Sequence, residues 1–103
     1  GRAWEGFGPG PYLAGVFMNA SVVGVQSTGV QACSKHMIGN EQETHRTSTT
    51  LENGTVIDAI SSDIDDRTLH ELYLWPFADA IKAGTSTVMC SYNQVSIARV
   101  TAY

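Results

Sequence analysis

Two parts of the chain carry apolar residues at helical spacing, and each is followed by a short apolar run. The first part predicts an amphipathic helix through the residues Leu13, Val16, Phe17, Ala20 and Val23. Pro11 suits the first helical position, and Gly29 suits the position just after the last. Val30 to His36 then reads as a strand that is apolar until its last residues, which is typical of a buried parallel strand.

The second part predicts a helix that Asp65 or Asp66 can cap and that Gly84 ends. Its apolar stripe consists of Leu69, Leu72, Tyr73, Phe77 and Ala80. Pro76 lies inside this stripe, where it removes a backbone donor and crowds the carbonyl of Leu72, so we expect a kink. Ser86 to Ser91 is predicted as a second short strand that ends before residues 92–94.

Between the two parts lies a long polar stretch from Met37 to Asp65, predicted as a loop in which Asn53-Gly54 favours a turn; residues 1–11 also read as loop. A strand, helix and strand in this order make parallel neighbours with a right-handed crossover. Two parallel strands cannot form a stable sheet alone, and a parallel sheet needs other elements to cover both of its faces. The pattern therefore indicates part of a larger α/β barrel or open α/β sheet, and a small α+β domain with miscounted strands is the alternative.

Composition narrows the function classes without identifying one. The 103 residues include six Lys+Arg and ten Asp+Glu, for a net charge of −4, and no basic patch favours nucleic acid as a partner. No apolar stretch approaches the roughly 20 residues that cross a bilayer. The chain opens with Gly1-Arg2-Ala3-Trp4, with no initiating Met and no signal peptide, as expected of an internal excerpt or a processed chain.

Motifs for cofactors and metals are weak. There is no GxGxxG, phosphate loop or GxSxG, so no cofactor is expected. His and Glu side chains that could bind a metal occur without an HExxH or paired-Cys motif, so no metal site is expected; they are His36, His45, His70, Glu41 and Glu43. Cys33 and Cys90 lie in apolar runs and are expected to be small buried side chains, with their disulfide state left open.

The end of the first strand carries the strongest signal for a ligand site. Lysine is almost never fully buried unless it is paired, so Lys35 either binds ligand oxygens or pairs with Glu41 or Glu43. Neighbouring side chains of a regular strand point to opposite faces. Lys35 and His36 can therefore share a ligand only if the strand ends, bulges or has an unusual peptide bond at residues 35–37, and we predict such an irregularity.

Two further groups of residues belong to this interpretation. Ligands of parallel α/β folds bind at the carboxyl ends of strands, which also selects the end of the second strand, with Met89, Ser91, Tyr92, Asn93 and Gln94. Asn19-Ala20-Ser21 and Asn53-Gly54-Thr55 fit the N-glycosylation pattern, which hints at secretion.

Four segments, in this order, resemble secreted fungal β-glucosidases of glycoside hydrolase family 3. They are residues 1–7 with 11–13, residues 35–43, residues 64–77 and residues 88–94. The resemblance covers about residues 1–94, and Val95 to Tyr103 fits it poorly. Ala3 stands where the family usually has Asn, and Gly10 where it usually has Asp.

The resemblance implies that residues 1–103 form part of an N-terminal (β/α)8 barrel, with two of its helices and two of its parallel strands, and without the second α/β sandwich domain. It implies an extracellular, retaining, exo-acting hydrolase that removes terminal glucose from small β-glucosides such as cellobiose. By the same resemblance, the glucose is bound by the side chains of Arg2, Lys35, His36, Met89 and Tyr92.

A retaining hydrolase needs two carboxyl groups, and the resemblance places neither in this chain. The family's nucleophile is the Asp of a Ser-Asp-Trp motif that is absent here, and Ser62-Asp63-Ile64 is rejected because it lies between the two predicted strands. The acid/base Glu belongs to the second domain, so the segment alone is expected to be inactive and to need the rest of the complete protein. A β-xylosidase, an N-acetylglucosaminidase and a non-catalytic sugar-binding module are the alternatives.

Overall fold

The computed structural model describes residues 2–97, so the part of the poorly fitting tail from residue 98 to 103 lies outside the described residues. The elements are a 3-10 turn at Ala3–Glu5, α1 at Pro11–Gln26, β1 at Cys33–Met37, β2 at Thr49–Thr50, β3 at Val56–Ile57, β4 at Ser61–Ile64, α2 at Asp66–Thr68, a π-helical turn at Leu69–Tyr73, α3 at Trp75–Lys82, β5 at Thr87–Cys90 and β6 at Gln94–Ile97. The predicted α/β class is confirmed.

The first helix begins where predicted and ends at Gln26, before the predicted end next to Gly29. α1 begins at Pro11 after the extended Gly10, and it ends at Gln26. The hydroxyl groups of Ser27 and Thr28 donate to carbonyls of the last turn at 2.8 and 2.7 Å. Gly29 then leaves with a φ of 83°, a conformation that costs glycine little, so the chain can reverse toward β1.

The two predicted strands are parallel neighbours, as expected. β1 pairs with β5 in a register that sets Cys33 opposite Thr87 and Lys35 opposite Met89. Both strands are shorter than predicted, because residues 30–32 and 86 precede the ladder. The expectation of buried cysteines is wrong for the described residues, since Cys33 and Cys90 are both free and exposed.

The count of two strands is wrong, because residues 2–97 contain six short strands in three two-stranded sheets. The predicted loop from Met37 to Asp65 contains the antiparallel pair β2–β3 and the strand β4, which runs parallel to β6. β2 and β3 have two residues each, and β4 is mostly polar. Such strands have too few apolar residues to produce an alternation that a sequence pattern can detect.

The second helical region is divided in two. Asp65 caps α2 as predicted, accepting the Thr68 N–H at 3.0 Å. The Leu74 N–H then reaches the Leu69 carbonyl at 2.8 Å and closes the π turn, and α3 starts at Trp75. Pro76 therefore lies in the first turn of α3, where a missing N–H is harmless, and the break precedes it instead of lying at a mid-helix kink.

The buried apolar residues of the described part are few. Val22 belongs to α1 and Phe77 and Ala80 belong to α3, the two helices that pack on each other, and Ile64 ends β4. A side chain at Gly15 would meet the Asp79 carboxylate and the Trp75 ring, so glycine permits the close approach of the two helices. The predicted apolar stripe of α1 does not face these buried residues, and its members include Leu13 at 50% and Val23 at 54% exposure. Among residues 2–97, no helix is long and apolar enough to cross a membrane.

Gln26 connects the end of α1 to the turn between α3 and β5. Its Nε2 donates to the Gly84 carbonyl at 2.9 Å, and its Oε1 accepts from the N–H and hydroxyl of Ser86 at 2.9 and 2.8 Å. The Ala32 N–H, just before β1, reaches the same oxygen at 3.4 Å. One side chain thus sets the entry points of both parallel strands.

We expect Gln26→Ala in the complete protein to loosen the β1–β5 pair, because several hydrogen bonds worth about 1 kcal/mol each are lost together. Amide hydrogen exchange of Thr87 to Cys90 should become about tenfold faster or more. Gln31→Ala, at an exposed position five residues further along, serves as the matched control. Equal exchange rates in the two variants would contradict this role of Gln26.

Candidate ligand-binding site

A cavity of about 260 Å³ opens where the carboxyl end of β1 meets the N-terminal segment. It is lined by Arg2, Ala3, Glu5, Gly6, Lys35, His36, Asn40 and Glu41. A wider and more apolar groove of about 600 Å³ continues from it, past Phe7 and Met18 to Leu72 and Phe77. Polar groups converging at one end of an apolar groove are typical of a small-molecule site.

β1 is irregular at the predicted position. Its register against β5 shifts between Lys35 and Met37, so that two residues of β1 are accommodated opposite one step of β5. The peptide bonds Lys35-His36 and Met37-Ile38 are both cis. Lys35 and His36, which a regular strand would send to opposite faces, line the same cavity. The predicted irregularity at residues 35–37 is confirmed.

Glu5 joins the two cations of the cavity. Its carboxylate accepts from Nε of Arg2 at 2.9 Å, from a terminal nitrogen of Arg2 at 3.1 Å and from Nζ of Lys35 at 2.7 Å. The acid that pairs with Lys35 is therefore Glu5, and not Glu41 or Glu43. The sequence patterns did not indicate Glu5 as the partner of Lys35. Its position three residues after Arg2 is nevertheless a spacing that brings side chains together in a helical turn.

Glu43 extends the network to the second strand end. It accepts from the other terminal nitrogen of Arg2 at 2.9 Å and from the Asn40 amide at 3.0 Å, and it lies 3.4 Å from Arg46. Asn40 in turn accepts the Tyr92 N–H at 3.1 Å. The Arg46 guanidinium lies 4.5 Å from the centre of the Tyr92 ring, a cation–π arrangement. Side chains from three separate segments thus fix one another.

Buried Asn93 holds the loop that carries these residues. Its amide nitrogen donates to the Gly39 carbonyl at 3.1 Å and to the Gln42 carbonyl at 3.0 Å. Gly39 has a φ of 81°, which glycine adopts most readily, and its carbonyl also accepts from the Ser62 hydroxyl at 3.0 Å. The loop after β1 is therefore tied to the end of β5 and to β4.

The ion pairs determine which groups are charged. Hydrogen bonds from Arg2 and then from Lys35 lower the pKa of Glu5 from 4.5 to about 2. Hydrogen bonds to Glu5 and then to Glu43 raise the pKa of Arg2. A hydrogen bond from Arg2 lowers the pKa of Glu43. Burial, together with the nearby charges of Arg2 and Lys35, lowers the pKa of His36. At neutral pH His36 is therefore neutral, with one ring nitrogen able to donate and the other able to accept.

The predicted ligand-binding residues are brought together only in part. Arg2, Lys35 and His36 line the cavity, whereas Met89 and Tyr92 line neither the cavity nor the wider groove. Met89 lies opposite Lys35 in the ladder and is 48% exposed, and Tyr92 is 62% exposed. Their backbone stays close, since Tyr92 is hydrogen-bonded to Asn40 of the cavity wall.

The chemistry of the cavity suits a neutral ligand with several hydroxyl groups. Arg2 and Lys35 supply N–H donors, Glu41 supplies acceptors, and neutral His36 can act as either. Groups of three or more His, Cys, Asp or Glu side chains that could hold a metal ion are absent from the part of the chain that the structure describes.

The two glycosylation patterns lie in different surroundings. Asn53 is exposed in the β2–β3 turn, where its side-chain oxygen accepts the Thr55 N–H at 3.0 Å. Asn19 is half-buried within α1, and its amide nitrogen donates to the Asp79 carbonyl of α3 at 3.2 Å. The nitrogen that would carry a glycan is thus part of the helix contact at Asn19.

Comparison with known proteins identifies one family. The model for the glycosyl hydrolase family 3 N-terminal domain matches residues 1–102, so the match extends beyond residue 94. The probable β-glucosidase G of Aspergillus flavus is 58% identical over 100 residues, which cover 93% of this chain and 12% of that protein. The probable β-glucosidase M of Emericella nidulans is 54% identical over 96 residues. The chain thus spans about 12% of the length of the curated relatives it matches.

Solved structures agree with the sequence comparison. The β-D-glucoside glucohydrolase of Trichoderma reesei superposes with a TM-score of 0.80 at 56% identity, covering 92% of this chain and 12% of that one. The β-glucosidase of Kluyveromyces marxianus in complex with glucose superposes with a TM-score of 0.75 at 33% identity, covering 91% and 10%.

We expect the ion pairs of Glu5 to weaken as the solution becomes acidic. Because the folded pKa is about 2 and the ordinary value is 4.5, the stability that Glu5 contributes is fully present above pH 4.5 and is lost as the pH falls toward 2. The melting temperature of the complete protein should therefore exceed that of Glu5→Gln by an amount that shrinks between about pH 4.5 and 3. Glu52→Gln, at an exposed position in the β2–β3 turn, is the control, and a difference independent of pH would contradict the assignment.

Proposed function

This chain belongs to glycosyl hydrolase family 3, and from that premise we propose that the complete protein is a β-glucosidase in which residues of this segment bind the sugar. The observation that carries the proposal is the convergence of Arg2, Lys35 and His36 on one cavity. The proposed substrates are small β-glucosides such as cellobiose, as in cellulose breakdown, with terminal glucose released from the non-reducing end. A relative of this fold was solved in complex with glucose, which supports the choice of ligand.

The proposed architecture is a segment, residues 1–103, of an N-terminal (β/α)8 barrel, with a second α/β sandwich domain elsewhere in the complete protein. The parallel pair β1–β5 and the position of the cavity at the carboxyl end of β1 support it. So does the outer face of α1, where Leu13, Phe17 and Val23 are exposed. An apolar helix face of this kind normally packs against further elements, as the outer helices of a barrel do.

The proposed reaction is retaining hydrolysis. One carboxylate attacks the anomeric carbon and forms a covalent glycosyl intermediate while a carboxylic acid protonates the leaving oxygen, and water then releases the sugar with that same acid acting as base. Glu5 and Glu43 are poor candidates for the acid, because their ion pairs lower their pKa values. We assign both catalytic carboxyl groups to other parts of the complete protein, so this segment alone should not turn over substrate.

Arg2, Lys35 and His36 are assigned to the sugar hydroxyls. Lys35 has three N–H donors, and Glu5 occupies one of them, so two remain for a ligand. Met89 and Tyr92 are assigned to the rim of the same pocket. That assignment is supported by the pairing of Met89 with Lys35 and by the hydrogen bond from the Tyr92 N–H to Asn40.

The test is hydrolysis of aryl β-glucosides, β-xylosides and β-N-acetylglucosaminides by the complete protein. We expect the glucoside to be the best substrate and the β-anomer of glucose to be the first product seen by NMR. A preference for the xyloside or the N-acetylglucosaminide would show that the substrate is that glycoside and not a glucoside. Glucose binding without turnover would indicate a sugar-binding module. Turnover by the 103-residue chain alone would contradict the assignment of the carboxyl groups.

Lys35→Ala in the complete protein should lower kcat/KM for the glucoside by about 100-fold, because charge-assisted hydrogen bonds to the sugar are lost. Its melting temperature should change little, since Lys35 is exposed at the cavity. Lys82→Ala, which removes another exposed Lys–carboxylate pair, is the matched control and should keep full activity. Unfolding of the Lys35 variant would instead make this lysine a structural ion-pair member.

We also propose that the complete protein is secreted and carries a glycan on Asn53 but not on Asn19. A glycan on Asn53 would extend into solvent, whereas one on Asn19 would disrupt the contact between α1 and α3. Glycopeptide mass spectrometry of the secreted protein should find Asn53 occupied, and Asn53→Gln should remove one glycan while Asn19→Gln removes none. Occupancy of Asn19 in folded, active protein would contradict this assignment.

A further inference from the structure

The strongest unexplained feature of the cavity is a carboxylate that touches both of its cations. We propose that Glu5 is a positioning residue that also sets sugar selectivity, by neutralising Arg2 and Lys35 so that the cavity prefers neutral sugars to anionic ones. This inference rests on the proposed function, since it concerns how the same site selects its sugar.

Glu5 fixes Arg2 by local geometry. Both residues border the short 3-10 turn, in which the Glu5 N–H donates to the Arg2 carbonyl at 3.0 Å. The carboxylate then takes Nε and one terminal nitrogen of Arg2 in a two-pronged contact, and Glu43 takes the other terminal nitrogen. Three of the five guanidinium N–H groups are thereby occupied, so the plane of Arg2 is set and two N–H groups remain for a ligand.

Glu5 fixes Lys35 by a contact across the fold. Lys35 is 30 positions further along the chain, at the irregular end of β1, and its Nζ lies 2.7 Å from the second carboxylate oxygen of Glu5. A lysine side chain has a flexible four-carbon stem and would otherwise sample many positions in a cavity open to solvent. The shared carboxylate therefore holds two donors from separate elements at a fixed distance from each other.

The charges of the cavity balance because of Glu5. Its ionised lining residues are Arg2 and Lys35 against Glu5 and Glu41, and His36 is neutral. A sugar hydroxyl accepts hydrogen bonds from a charged donor whether or not that charge is balanced nearby, whereas a sugar carboxylate gains further from any unpaired cation. Glu43 also accepts from Arg2 but is shared with Arg46, so removing the charge of Glu5 leaves Lys35 without its carboxylate partner and favours an anionic sugar.

A purely structural role is the competing explanation, in which Glu5 only fastens the N-terminal segment to β1. That role predicts equal weakening of every ligand, because a displaced segment would disturb the whole cavity. The selectivity role predicts opposite changes for neutral and anionic sugars. The two ligands therefore separate the explanations, and overall activity alone does not.

The experiment measures the Ki of glucose and of glucuronate as inhibitors of aryl β-glucoside hydrolysis, in the complete protein and in Glu5→Gln. Titration calorimetry gives the dissociation constants of the same two sugars independently. In Glu5→Gln, the Ki for glucose should rise about tenfold, the loss expected when charge-assisted contacts are broken, and the Ki for glucuronate should fall. Glu5→Asp keeps the charge but is one methylene too short for both partners. It should weaken glucose binding without improving glucuronate binding.

Glu71→Gln, which breaks the exposed pair with Arg67 on the π turn, is the control and should leave both Ki values unchanged. An equal rise of both Ki values in Glu5→Gln would establish the structural role, and unchanged values would remove any role; either result overturns the inference. If the wild-type protein neither hydrolyses the glucoside nor binds glucose, the proposed function itself fails. If the wild-type protein hydrolyses the glucoside and binds glucose, either of those variant results contradicts only the inference about Glu5 and leaves the proposed function standing.

Discussion

The carboxylate of Glu5 joins the N-terminal segment to the end of β1, because it accepts hydrogen bonds from Arg2 and from Lys35 at the same time. Arg2 directly precedes the short 3-10 turn, and Lys35 lies at the irregular part of β1. Exposed ion pairs usually add little to stability. The ion pairs of Glu5 matter for geometry instead, because they hold the N–H donors of Arg2 and Lys35 at fixed positions in the cavity wall.

The second half of that wall depends on amide side chains. Asn40 accepts from the backbone of Tyr92 and donates to Glu43, while buried Asn93 holds the carbonyls of Gly39 and Gln42. Neutral amides can satisfy backbone groups inside the fold without the desolvation cost of a charge. The ends of β1 and β5 are thereby locked to the same loop, and the charged residues are carried on a rigid support.

The packing of the described residues is uneven in a way that fits a segment of a larger fold. One side of α1 packs closely on α3 through Gly15 and Val22, while the opposite side presents Leu13, Phe17 and Val23 to solvent. The chain spans about 12% of the length of its relatives. The apolar face that sequence periodicity selects is therefore not the face that packs within this segment.

Sequence alone determined the features that depend on local chemistry. The start of α1 follows from Pro11, the start of α2 follows from Asp65, and the family motifs select Arg2, Lys35 and His36. The irregularity at residues 35–37 was predictable because two neighbours that share a ligand cannot lie in a regular strand. Four strands were not predictable, because two to four residues are too few to leave a periodic signal. The π turn and the exposed cysteines were not predicted either.

Only the tertiary structure decided the partners of these residues. The sequence selected Glu41 or Glu43 as the partner of Lys35, because both lie close to it along the chain. The actual partner is Glu5, and that choice depends on how the N-terminal segment lies over β1. Met89 and Tyr92 share motifs with pocket residues, yet their side chains lie outside the cavity of the described residues. Motifs record which residue types occur together, whereas contacts over 30 or more positions depend on chain packing, which no local pattern encodes.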